Sequence, residues 1–252
     1  MSPLDVVLLL VAGFGGGIVT ALAGGSGLIT FPALVATGLP PLVANASNNV
    51  ALTFSNLAAA FADRSSWPRL DRRLAGLFAA AGLGAAVGVW LLLRTSARAF
   101  EALVPALIAL ATAIFAAGPR LRLRAQRRGA SRGLAAFSIP VVGVLSIYGG
   151  YFGSGLGVMF LAWFALAETE DFRRANALKN LCAAAMNVVA CGLLAATPLV
   201  SWPEALTLLA ASVAGGYAGG RLASRIPPRI VRRIVIGIGT LLSLVFAFRY
   251  WL

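Results

Sequence analysis

Apolar stretches follow one another along almost the whole chain, at about 5–22, 27–38, 44–62, 74–93, 98–117, 134–151, 155–167, 175–196, 204–222 and 230–250. Few folds are open to such a chain, because every stretch must be hidden from water in a core or in lipid. Of its 252 residues 60% are apolar and only 12% charged, about half the charge of an ordinary soluble domain. The mean hydropathy is +0.88. No sustained apolar/polar alternation runs through the stretches, which argues against a β-barrel. The expectation is an all-α polytopic membrane protein.

The basic residues fix the sides. Four arginines lie in "DRSSWPRLDRR" (Asp63 to Arg73), six in "RLRLRAQRRGASR" (Arg120 to Arg132), two at Arg173 and Arg174, and five from Arg221 to Arg233. Only Arg94, Arg98 and Arg249 fall at the opposite ends of the stretches. A net charge of +13 distributed this way orients helices in a membrane and does not call for nucleic acid as a partner. With the clusters in the cytoplasm, both termini lie outside. The N-terminus has no basic n-region or small-residue cleavage site, so it reads as a membrane segment and not as a removed signal peptide. The expected organisation is an N-terminal membrane repeat (1–117), a basic cytoplasmic loop (118–133) and a C-terminal membrane repeat (134–252).

The word repeat rests on an ordered series of matches. "GSG" at Gly25–Gly27 recurs at Gly153–Gly155, and Asn45, Asn49 and Asn56 recur as Asn176, Asn180 and Asn187 at a constant offset of 131. Trp67–Pro68 recurs at Trp202–Pro203, and the Gly84/Gly88 pair at Gly216/Gly220. Each half holds five segments, an odd number, so the halves begin on opposite sides of the membrane. This is the inverted-topology construction of many secondary transporters. The second and seventh stretches are too short to cross a bilayer untilted, and each follows a glycine break, "AGGSG" or "YFGSG". They can be full return crossings or re-entrant hairpins.

The motif "ANASNN" (Ala44 to Asn49) and its near-copy "ANALKN" (Ala175 to Asn180) place asparagines four and seven residues apart, on one helix face. A polar stripe in an apolar helix must face something other than lipid. Interhelical hydrogen bonding is one use for it. Two matched stripes, each just after a glycine break, fit a substrate site better. Asparagine amides, the Ser26 and Ser154 hydroxyls, and helices beginning at Gly27 and Gly155 all donate hydrogen bonds, which favours an anion. Asn48 has as its counterpart Lys179, the only lysine in the chain. It is either an anchor snorkelling toward the cytoplasmic surface or the counter-charge of the ligand. The candidate substrate-binding set is therefore Ser26, Gly27, Asn45, Asn48, Asn49, Asn56, Ser154, Gly155, Asn176, Lys179, Asn180 and Asn187.

An enzyme reading finds little support. Histidine is absent, and the acids cluster at the helix ends as Asp63, Asp71, Glu168, Glu170 and Asp171. Cys182 and Cys191 are about half a turn out of phase on one helix, so neither a disulfide nor a metal pair is expected. No metal, cofactor or Walker-type loop is indicated. The acids before the second motif can serve a coupling proton, or simply balance Arg173 and Arg174. The Gly13/Gly17 and Gly84/Gly88 pairs permit close packing within a subunit or between two copies in a homodimer.

On "GGSGLITFPALVATGLPPLVANASNN", "GSGLGVMFLAWFAL" and "ANALKN", the chain resembles the TauE/SafE family of sulfite exporters and anion permeases. The two-half layout, Pro32 after the first break and the Gly38–Pro40–Ala44 spacing belong to that resemblance, which spans essentially the whole chain. Phe160 stands where the second half would have a counterpart of Pro32. The resemblance implies a secondary transporter in the bacterial cytoplasmic membrane that exports sulfite or an organosulfonate, with thiosulfate or a carboxylate as the alternative substrate. The sequence leaves the coupling ion open between a proton and sodium.

Overall fold

The computed structural model describes residues 1–22, 25–62, 64, 67–128, 132–168, 171–222 and 228–251. Ala23, Gly24, Asp63, Glu170, Arg225 and residues 129–131, all used above, lie outside them. The described residues form eleven helices: α1 (Pro3–Leu22), α2 (Gly27–Ala36), α3 (Pro41–Ala62), α4 (Arg72–Arg94), α5 (Ala97–Arg128), α6 (Arg132–Ala135), α7 (Ser138–Tyr151), α8 (Leu156–Ala167), α9 (Phe172–Ala195), α10 (Trp202–Leu222) and α11 (Pro228–Trp251). No strand occurs among the described residues. Apart from the one-turn α6, each helix covers one apolar stretch of the sequence. Five of them (α1, α4, α5, α9 and α11) are long and apolar enough to cross a membrane. The basic stretch 118–133, expected as a loop, instead continues α5 as helix to Arg128, since arginine, leucine, alanine and glutamine all favour helix.

Local chemistry sets several helix starts. Ser2 and Asp5 cap α1 reciprocally, with the Ser2 backbone N–H donating to Asp5 Oδ2 at 2.6 Å and the Asp5 N–H to Ser2 Oγ at 3.2 Å. Asp71 accepts from the Leu74 N–H at 2.7 Å to start α4, and Asp171 from the Arg173 N–H at 2.9 Å to start α9.

Polar contacts then sort the ends of the bundle as the arginines do. Arg73 donates to Glu168 Oε1 at 2.8 Å and to the Ala135 carbonyl at 2.6 Å, joining the start of α4, the segment before α7 and the end of α8. Glu168 thus pairs with Arg73. At the opposite end the Trp251 indole donates to the Ala102 carbonyl at 2.8 Å, beside the arginine-poor tips of α5 and α11.

Helix neighbours recur between the halves with their roles exchanged. α1 packs on α10 and α7 on α4; α3 packs on α10 and α9 on α4; α3 meets α9, and α5 meets α11. Glycine makes the closest of these contacts. A Cβ added to Gly17 would strike the backbone of Ser212 and Gly216, and one added to Gly88 the backbone of Ile147 and Tyr151. Backbones this close fit a bundle in lipid, where apolar burial gives helices no net drive to associate and close packing must do so. Both glycine pairs act within the chain.

The short helices occupy the interior. Ten residues rise only about 15 Å, half of a hydrocarbon core, and eight of the ten in α2 are buried. Phe31, Phe152, Phe160 and Phe164, from α2, α8 and the second break, are among the largest fully buried side chains. Large apolar side chains instead line the outside of α1, α4 and α11, as with Leu83, Val87 and Trp90. In water such a surface would be a liability; against lipid it is the expected exterior.

Candidate functional site

Gly25 and Gly153 open the two breaks with φ of 89° and 79°, values that side chains disfavour. The turns they permit bring the start of α2 against the second break: a Cβ on Gly27 would collide with the Ser154 hydroxyl. Between them lies a cavity of about 70 Å³. One water needs roughly 10–15 Å³ of such space, so a solute of a few heavy atoms fits and a drug-sized one does not.

Ten of the twelve predicted site residues line it: Ser26 and Gly27 at the first break, Asn48, Asn49 and Asn56 on α3, Ser154 and Gly155 at the second break, and Lys179, Asn180 and Asn187 on α9. Asn45 and Asn176 do not. Asn45 is fully buried, and its amide donates to the Tyr151 carbonyl at 2.9 Å, tying α3 to the end of α7. One stripe position is thus a bundle contact of the kind an isolated asparagine makes. The two motif helices also touch where Thr53 Oγ1 meets the Asn187 carbonyl at 3.5 Å.

The amides are held in set orientations. Asn48 Oδ1 accepts from the Thr30 hydroxyl at 2.6 Å, while its Nδ2 lies 3.5 Å from the Cβ position of Gly27. Asn49 is turned the other way: its Nδ2 donates to the Asn45 carbonyl at 3.1 Å, and its Oδ1 lies 3.2 Å from the Cβ position of Gly153. Asn187 donates back to its own helix at Ala183 O, 2.7 Å away.

Two hydroxyl oxygens in the wall, Thr20 Oγ1 and Ser154 Oγ, are buried and have no hydrogen-bond partner among the described residues. Buried hydroxyls are rarely left so, which marks the place where a ligand or water completes them. Among the described residues of the wall Lys179 is the only charged one, and its stem passes 3.9 Å from the Cβ position of Gly157. Thr20 and Thr30 escaped the sequence reading, for neither belongs to a repeated motif.

The cavity is not sealed evenly. On α3, Ala44–Val50 are all buried whereas Asn56, nearer the end followed by Arg64, is half-buried. On α9, Lys179, close to Arg173 and Arg174, is half-buried whereas Asn187 is buried. Access therefore lies toward the arginine-rich end.

A family model described as "Sulfite exporter TauE/SafE" matches residues 9–246. Among curated proteins, the "Probable membrane transporter protein" of Haemophilus influenzae is 28% identical, with 83% of this chain and 82% of the relative aligned. The "Probable membrane transporter protein ORF9" of a Sinorhizobium species is 26% identical over 84% and 82%. The "Probable membrane transporter protein YfcA" of Escherichia coli K12 is 26% identical over 85% and 79%. No solved structure gives a significant match.

Proposed function

The chain belongs to the TauE/SafE sulfite exporter family and is a multi-pass membrane transporter and not an enzyme; from that premise we propose that it exports a small sulfur oxyanion, sulfite foremost, from the bacterial cytoplasm. The observation that carries this reading is the composition of the cavity wall. Among the described residues it offers hydroxyls, an amide NH₂ and one lysine, and no acid. Such a wall favours an anion over a cation. The cavity volume favours sulfite over an organosulfonate with an extended tail.

An inverted repeat is the construction that best accounts for the exchanged helix pairing and for two breaks meeting at one cavity. In this arrangement the arginine-rich end faces the cytoplasm. The half-buried residues then lie on the cytoplasmic side, as a transporter loading for export requires.

The test is sulfite efflux from proteoliposomes holding the purified chain, compared with liposomes lacking it. Efflux above that background, saturable and inhibited by an excess of sulfite on the loading side, is the expected result. Equal leakage from both preparations would sink the reading. Conductance far above transporter turnover would make the protein a channel instead.

A further inference from the structure

Asn48 and Asn49 are adjacent in sequence, line the same cavity, and set opposite amide ends against its two glycine walls, Nδ2 against Gly27 and Oδ1 against Gly153. Thr30 engages the Asn48 oxygen, leaving its NH₂ on the Gly27 side. The bond from Asn49 Nδ2 to the Asn45 carbonyl leaves the Asn49 oxygen pointing at the Gly153 wall. Flipping Asn49 would set two oxygens against each other, so its orientation is determined by its own helix. The wall thus contains an acceptor among its donors. The Thr20 and Ser154 hydroxyls of the same wall are buried and have no partner among the described residues, and a hydroxyl can donate or accept.

Resting on the transport reading above, we infer that the site takes an oxyanion that still carries a hydrogen, a protonated monoanion, in preference to a fully ionised dianion. A dianion would press an oxygen against Asn49 Oδ1 with no hydrogen between them. A monoanion can donate its hydrogen there and accept from Asn48, Thr20 and Ser154. For sulfur chemistry the species is hydrogensulfite.

The other titratable groups on the helices packed on α3 are Cys182 and Cys191 on α9, Glu204 and Tyr217 on α10, Glu101 on α5 and Asp5 on α1, with Tyr148 and Tyr151 on α7, whose end Asn45 reaches, besides arginines at the helix ends. None of these lines the cavity. Tyr148 donates to the Ser154 carbonyl at 2.7 Å, and Glu204 accepts from the Ser201 hydroxyl.

The experiment is calorimetric titration of the full chain in detergent with sulfite and, separately, with methanesulfonate. Buffers step from below to above the second ionisation of sulfite. Methanesulfonate is a monoanion with no hydrogen to lose, so its profile reports the protein's own groups. The expected result is an affinity for total sulfite that falls about tenfold per pH unit above that ionisation, while methanesulfonate stays level. Asn49→Ala should flatten the sulfite profile by weakening binding at the acid end. Sulfite affinity that is level or rises with pH, or that falls only in parallel with methanesulfonate, would overturn the inference and leave the transport reading standing. Failure of both anions to bind at any pH would overturn the transport reading and the inference with it.

Discussion

The Thr30 hydroxyl lies 2.6 Å from Asn48 Oδ1, so a residue of α2 sets which end of an α3 amide faces the cavity. The same hydroxyl also reaches the Ser26 carbonyl at 3.1 Å. One threonine therefore couples the first break to the first motif. Thr30→Val keeps the shape and frees the amide to rotate. Losing one buried hydrogen bond of about 1 kcal/mol should weaken anion binding roughly fivefold. Thr30→Ser, which keeps the hydroxyl, should restore it. Equal affinity for all three proteins in a calorimetric titration would mean that Asn48 needs no such support.

That coupling bears on what sequence alone can convey. The helices were legible because hydropathy and arginine placement decide them one stretch at a time. The meeting of Ser26, Asn48, Ser154 and Lys179 was legible because two motifs recur at a fixed offset. Thr20 and Thr30 carry no such mark: a single threonine in an apolar helix has the same pattern whether it faces a cavity or a neighbour. Asn45 misled for the converse reason. It shares the periodicity of Asn49, yet the end of α7 comes within reach of its amide and takes it out of the cavity.

Gly27 sits where the two breaks touch, and its missing side chain is what lets Ser154 approach. Gly27→Ala places a methyl against that hydroxyl, and overpacking of this kind costs about 1–3 kcal/mol. Helix content by circular dichroism should be unchanged, while sulfite efflux should be lost. A fully active Gly27→Ala protein would show that the contact does not border the transport path.

Lys179 and Asn48 hold equivalent positions in the two motifs, and both line the cavity, but only one is charged. Lys179→Met should insert normally and lose about 2–3 kcal/mol of anion binding, the size of a charge-assisted hydrogen bond. Asn48→Ala removes a neutral donor and should cost less. If the methionine variant binds as tightly as the unmodified chain, the lysine is an anchor at the membrane surface and the amides and hydroxyls recognise the anion without it.

The uneven burial along α3 and α9 makes a prediction about sidedness that does not depend on which anion is carried. Asn56 is half-buried and Asn45 fully buried, although both belong to one stripe on one helix. With Cys182 and Cys191 replaced by alanine, a cysteine at position 56 should react with a membrane-impermeant maleimide supplied from the cytoplasmic side of inverted vesicles. A cysteine at position 45 should stay unreactive from either side, and sulfite should slow the reaction at 56 by filling the cavity. Cysteines near Arg69 should label from the cytoplasmic side and cysteines near Arg98 from the other, as the arginine distribution requires. Labelling at 56 only from the external side would reverse the orientation. The half-buried end would then face outward, and the chain would be arranged for uptake and not for export.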